Sequence, residues 1–178
     1  SLSGMYNGEM ISAPEYKSLA SLDGAGFHGG YNHIVYQMVG QPLGVFYLPH
    51  STGLVSDGNG GYTYGIADLN GGGVNLEDGE DRYVAGQAVP KTILGSNISF
   101  RYKHFDLSVQ INGAFGHKIY NGTSLTYMNM NIFPDYNVMK SAPKQNIKDQ
   151  TATDYWLEKG NYVNFDYVTL GWNVPIEK

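Results

Sequence analysis

The chain has 178 residues, enough for one domain with a core, and no cysteine, which removes disulfides, thiol catalysis and cysteine-ligated zinc together. With 11 basic against 16 acidic residues its net charge is −5, so it has no basic stripe to hold a nucleic-acid backbone. Glycine (24), tyrosine (15) and 13% aromatic content suit strands, turns and interface belts, and only 15% of residues are charged. This composition predicts an all-β fold of antiparallel strands.

In chain order the pattern starts weakly. Residues 1–40 hold glycine pairs and short apolar bursts, with one strand expected over 33–39. GQPLGVFYLP (40–49) reads as a glycine-punctuated β segment, and residues 51–61 as turn-rich. TYGIADLNGGGVNLEDGEDRYVAG alternates short β pieces with an acidic loop. The clearest signal lies in 94–114, LGSNISFRYKHFDLSVQINGA. Ile98, Phe100 and Tyr102 oppose Asn97, Ser99, Arg101 and Lys103, while Leu107, Val109 and Ile111 oppose Ser108, Gln110 and Asn112. A period of two predicts two strands, and the short link at His104 and Phe105 makes them a hairpin. Residues 115–160 read as a long irregular excursion with prolines at 134 and 143. The last strand is NFDYVTLGWNVP, with Val168, Leu170, Trp172 and Val174 on one face. No internal repeat or linker divides residues 1–178, which are read as a single β-rich segment.

The acidic loop offers Asp68, Asn70, Asp78 and Asp81 as hard oxygen ligands for calcium or magnesium. In an EF-hand register from Asp68, however, the fifth and twelfth positions are Gly72 and Gly79, so two carboxylates are missing and a turn held by Asx hydrogen bonds is the competing reading. Carboxylate pairs such as Asp78 with Asp81 or Asp154 with Glu158 lack the pocket that glycosidase chemistry needs, the five histidines have no ligand spacing, and no serine sits in a nucleophile elbow. The sequence predicts no enzyme and no required cofactor. Tyr62, Tyr64, Tyr120, Tyr127, Tyr136, Tyr155 and Tyr162 cluster with Trp156 in or beside loops. Of these, Tyr127, Tyr136, Tyr155 and Trp156 are candidates for substrate or partner contact, whereas Tyr102, Tyr120 and Trp172 at strand ends fit an interfacial aromatic girdle.

Five segments in order, GQPLGVFY, ADLNGGGV, DRYVAGQAVP, GSNISFRYKHFDLSVQINGAFGHKIYN and NYVNFDYVTLGWNVP, together resemble the barrel region of SusC/RagA-like TonB-dependent outer-membrane transporters of the Bacteroidetes, over residues 40–175. Three departures accompany the likeness: Gly72 replaces an aspartate of the family's acidic loop, Asn164 stands where an arginine is usual, and a tryptophan-containing loop pattern is absent.

The resemblance implies a piece of a barrel of about 22 strands, contributing roughly five to seven of them. The signal, TonB-contacting region and plug would belong to a longer parent in the bacterial outer membrane. It implies that the hairpin turns on the periplasmic side and that the 115–160 excursion lies outside the cell. It further implies lipid around the wall, TonB as energy source, a SusD-like surface lipoprotein as partner, and an oligosaccharide or peptide nutrient as cargo. Asn97, Ser99, Arg101, Ser108, Gln110 and Asn112 would then line the lumen. The alternative is an autonomous soluble β-sandwich that binds glycans through its loop aromatics.

Overall fold

The computed structural model describes residues 4–6, 9–11, 19–21, 34–38, 40–76 and 81–175. In chain order the strands are β1 (Gly4–Tyr6), β2 (Glu9–Ile11), β3 (Leu19–Ser21), β4 (Val35–Gln37), β5 (Val45–Pro49), β6 (Ser51–Ser56), β7 (Tyr62–Ile66), β8 (Arg82–Gln87), β9 (Thr92–Tyr102), β10 (Phe105–Phe115), β11 (Lys118–Tyr120), β12 (Leu157–Lys159) and β13 (Tyr162–Trp172). Two short helices, α1 (Gly122–Tyr127) and α2 (Ala142–Gln145), fall between β11 and β12. All the registered strand pairs are antiparallel, so the all-β expectation holds.

The chain forms two compact units, Ser1–Val89 with Lys118–Glu158, and Pro90–His117 with Lys159–Lys178.

The second unit is a three-stranded sheet in the order β13-β10-β9. Tyr102 pairs with Phe105, so the hairpin loop is the two residues Lys103 and His104 rather than His104 and Phe105. Lys103 leaves the strand at φ 51°, the left-handed value that a two-residue primed turn requires at its first position. Across β9 and β10 like meets like: Phe100 with Leu107, Ile98 with Val109, Ser99 with Ser108, Asn97 with Gln110, and Arg101 with Asp106. On the other side of β10, Phe105 faces Trp172, Leu107 faces Leu170 and Val109 faces Val168. A bulge at Gln110/Ile111 shifts the register by one residue and then brings Phe165 opposite Ile111 and Asn164 opposite Asn112. The extra residue keeps apolar side chains of β13 in phase with those of β10 beyond the bulge.

In the first unit β5 is central in the order β3-β4-β5-β8, and Val45, Phe46 and Leu48 are buried on its two faces. Residues 51–61, expected to be turn-rich, contain β6, which forms a hairpin with β7. Gly53 at φ 112° and the register shift beside it hide the alternation that would have marked this strand. Within the irregular 115–160 excursion, short regular elements are set at fixed places. Asn121 caps α1 through its side chain, Asn146 ends α2 at φ 46°, and Ile147 bridges to both Tyr62 and Asn129. Leu125, Ile147 and Ala152 from this excursion share one core with Ile34, Phe46, Leu48, Tyr64 and Ala85.

Leu125 is 1% exposed in that core. Leu125→Ala should lower the stability of the first unit by about 2–5 kcal/mol, and Ile119→Ala on the exposed side of β11 by no more than about 0.5 kcal/mol. Hydrogen exchange across residues 121–156 reads the difference; equal protection in the two variants would remove Leu125 from the core.

Candidate functional site

Chemistry-bearing side chains gather in two places, the loop-rich first unit and the two faces of the three-stranded sheet. In the first unit, the Thr153 side chain caps a 3-10 turn, Asp154–Trp156, and this turn fixes Asp154, Tyr155 and Trp156 at once. Asp154 Oδ2 accepts hydrogen bonds from His50 Nδ1 and the Tyr83 hydroxyl, each at 2.7 Å, and its Oδ1 accepts the Ser51 N–H at 2.7 Å. Burial pushes the Asp154 carboxyl up, but the three donors outweigh it and hold its pKa below the ordinary carboxylate value. Burial, reinforced by that carboxylate, pushes the Tyr83 hydroxyl up to about 12. The constellation ties three separate segments together. Glu158 accepts a bond from Asn121 at 2.8 Å.

Beside it, Trp156 Nε1 donates to the Tyr64 hydroxyl at 2.7 Å, and burial raises that hydroxyl to about 12. Tyr155 lies 5.4 Å from the Tyr64 ring and 4.9 Å from the Trp156 ring, centroid to centroid. Tyr155 and Trp156 are thus brought together, with Tyr64 added to them. Tyr136 stands apart from this group, on the lining of an open cavity of about 470 Å³. Tyr127 is exposed, and its backbone carbonyl accepts the Met139 N–H. Tyr120, grouped by sequence with strand-end aromatics, packs against the core with its ring 6.5 Å from that of Phe46.

The acidic loop is organised by backbone donors. Asp68 accepts the N–H groups of Asn70, Gly71 and Gly73, and the bonds from Gly73 and Gly71 do most to hold its pKa low. Asp81 is fully buried and accepts from Leu69 at 2.7 Å and Asn75 at 2.5 Å, closing the loop at its base. Asn70 accepts the Gly72 N–H. Asp78 lies outside the described residues. These bonds match the Asx-turn reading, and the described residues contain no group of three acidic or histidine side chains able to hold a metal ion.

On the sheet, all six residues read as lumen-lining share one face by register: Asn97, Ser99 and Arg101 on β9, and Ser108, Gln110 and Asn112 on β10. Asn97 Nδ2 donates to the Tyr167 hydroxyl, Ser99 donates to Asn97, and Asn112 Nδ2 donates to Asp166. Asp166 and Tyr167 of β13 were missed in sequence because the bulge breaks the alternation there. The opposite face carries Ile98, Phe100, Leu107, Val109, Phe165, Val168 and Leu170. Leu170 is 72% exposed, Val168 62% and Phe100 61%, so the surface that a sandwich would bury is uncovered. At its turn end Phe105 and Trp172 stack with centroids 6.2 Å apart. No helix among the described residues is long and apolar enough to cross a membrane.

No family model matches the chain. TonB-dependent receptor P3 of Formosa agariphila is 27% identical over 157 residues, covering 76% of this chain and 16% of that protein. TonB-dependent receptor P26 of the same organism is 27% identical over 125 residues, covering 62% of this chain and 12% of that protein. Over the matched residues the chain is thus similar to TonB-dependent receptors. The chain spans less than a fifth of the length of these two TonB-dependent receptors.

Because the Asp154 pKa is lowered on folding, its contribution is fully present above the unfolded carboxyl value of about 3.9 and is lost as pH falls through the folded value. Thermal melting of the wild type should therefore drop on acidification below about pH 4. Asp154→Asn should melt lower at neutral pH and lose part of that acid dependence. An unchanged acid profile would mean that Asp154 does not hold the segments together.

Proposed function

We propose that the chain is a stretch of wall and external loop from a SusC/RagA-type TonB-dependent transporter of the bacterial outer membrane, one that imports nutrients such as oligosaccharides. The observation that supports this most is the division of the β9-β10-β13 sheet into an exposed apolar face and a polar face that matches across all three strands. In a barrel, the first meets lipid and the second lines the lumen. Lengths agree as well. From Phe105 to Phe115 β10 advances about 34 Å at about 3.4 Å per residue, and a tilt of about 45° projects this onto about 24 Å, close to the apolar band of outer-membrane barrels.

In this reading the polar face, with Asn97, Ser99, Arg101, Ser108, Gln110 and Asn112, offers water-like contacts to a hydrophilic cargo. Phe105, Trp172 and Tyr102 mark one membrane interface, next to the Lys103–His104 turn on the periplasmic side. Residues between β10 and β13 then emerge outside the cell. Tyr127, Tyr136, Tyr155 and Trp156 lie in that excursion, available to a nutrient or to a SusD-like lipoprotein. Energy would arrive from TonB through parts of the parent protein outside this stretch. The mechanism is transport by binding and release, with no covalent step.

Single cysteines at Val109 and Gln110, placed in the parent transporter in lipid vesicles, test the two faces. A bilayer-dissolved thiol reagent should label position 109, and a water-soluble one position 110. Val168→Arg, near the middle of the strand, should cost about 2–4 kcal/mol of folding stability in lipid, and Thr169→Arg at most about 1 kcal/mol. Reversed labelling, or equal costs, would reject the wall assignment.

A further inference from the structure

We propose that Asn59, in the turn between β6 and β7, is a site of spontaneous backbone modification: the Gly60 nitrogen attacks the Asn59 side-chain amide, and the asparagine becomes aspartate or isoaspartate.

The Gly60 N–H gives its proton to solvent base as its nitrogen bonds to Asn59 Cγ. The side-chain nitrogen takes up a proton and leaves as ammonia. Water then opens the resulting cyclic imide at either carbonyl, giving aspartate, or isoaspartate with the main chain rerouted through the side-chain carbon. Reaction requires the amide carbon and the following backbone nitrogen to meet, so both groups must be free to move together. A glycine in the second position puts no Cβ in the way.

Asn-Gly pairs stand at 59, 70, 112 and 121 among the described residues, and the structure treats them differently. Asn112 lies within β10, where Gly113 is paired with Leu94 on one side and Val163 on the other, and its Nδ2 donates to Asp166. Asn121 has both ends of its amide held, Oδ1 by the Ser124 N–H at 2.9 Å and Nδ2 by Glu158 at 2.8 Å. At Asn70 the attacking nitrogen is itself engaged. The Gly71 N–H donates to Asp68 Oδ1 at 2.6 Å, and Asn70 Oδ1 accepts the Gly72 N–H.

At Asn59 both reacting groups are free. The residue is exposed, and among the described residues neither its side-chain amide nor the Gly60 N–H makes a hydrogen bond. The turn around them is nevertheless held. Asp57 Oδ1 accepts the N–H groups of Asn59 at 2.7 Å and Gly61 at 2.8 Å, and the Asp57 N–H donates to the Gly61 carbonyl at 3.0 Å.

The modification acts on a contact of the first unit. The Gly60 carbonyl accepts Asn146 Nδ2 at 2.6 Å, and the Asn146 carbonyl accepts the Tyr62 N–H at 3.0 Å. Isoaspartate lengthens the main chain immediately before Gly60 and adds a carboxylate to a turn that already carries Asp57. The product therefore loosens the turn's hold on Asn146. Next to it, Ile147 bridges to Tyr62 and the Lys148 N–H donates to the Tyr62 carbonyl at 2.8 Å, so the loosening reaches the edge of the core.

The test is peptide mass spectrometry on the full chain, aged in detergent micelles in mildly alkaline buffer beside the same chain unfolded in urea. In the folded chain the mass gain of amide turned to acid should appear at Asn59 roughly tenfold faster than at Asn70, Asn112 or Asn121, with an isoaspartyl peptide resolved by chromatography. In urea the four sites should react at similar rates. Asn59→Gln should remove the fast reaction and leave the other three sites unchanged. Exchange of the Lys148 N–H should speed up as the product accumulates in the wild type, and not in Asn59→Gln. The proposal is overturned if Asn59 survives in the folded chain while reacting in urea, or if any of the other three sites keeps pace with it. Unchanged exchange at Lys148 in the aged wild type would overturn the loosening.

Discussion

The constraint on which the sheet depends is phase. A strand displays its side chains with a period of two, so a slip of one residue between neighbours would turn an entire apolar row into a polar one. Three strands, two joined by a tight turn and the third from farther along the chain, must agree on that phase, and they do so by different means. β9 and β10 are locked by a two-residue turn that needs the left-handed backbone of Lys103. β13 has no such turn to hold it. Its alternation is interrupted, and the bulge opposite Gln110/Ile111 absorbs the interruption so that Phe165 stays with Ile111 and Val168 with Val109. The result is one sheet with a consistent chemical difference between its faces.

The first unit is built on another principle. Its loops are rich in glycine, which contributes no side chain to packing, so backbone amides must be held by something else. Aspartates do this repeatedly. Asp57 takes the N–H groups of Asn59 and Gly61, Asp68 those of Asn70, Gly71 and Gly73, and Asp81 those of Leu69 and Asn75. Asp149 and Asp154 extend the pattern to contacts across 85 and 103 residues, with Tyr64 and Ser51. Carboxylates that resemble metal ligands or an acid pair in sequence are thus engaged as organisers of loop backbone. Charge-assisted bonds of this kind are among the stronger polar contacts available to a loop.

These two principles bear on function differently. The sheet's two faces differ in polarity, as the proposed role in a transporter wall requires. The loop unit, by contrast, has a core of its own, and that core fixes aromatic and amide groups that sequence alone leaves scattered. Tyr64, Tyr155 and Trp156 become one cluster through a single 3-10 turn. Asn129 and Tyr136 come to line one cavity because Ile147 docks against Tyr62 and Asn129.

The sequence by itself determined the two-faced character of β9, β10 and β13, the location of the tight turn to within one residue, and the likeness to TonB-dependent receptors. Alternation and motif order are local properties, written in consecutive residues. It did not reveal β6, whose glycine at φ 112° breaks the period, or the folded state of 115–160, whose two helices have only six and four residues. Nor could it foresee that His50 and Tyr83 would meet Asp154, or that Asp166 would bond Asn112. Only the tertiary structure decided those contacts. Each joins residues separated by 54 to 104 positions, and a hydrogen bond over such a distance leaves no periodic trace in the chain that forms it.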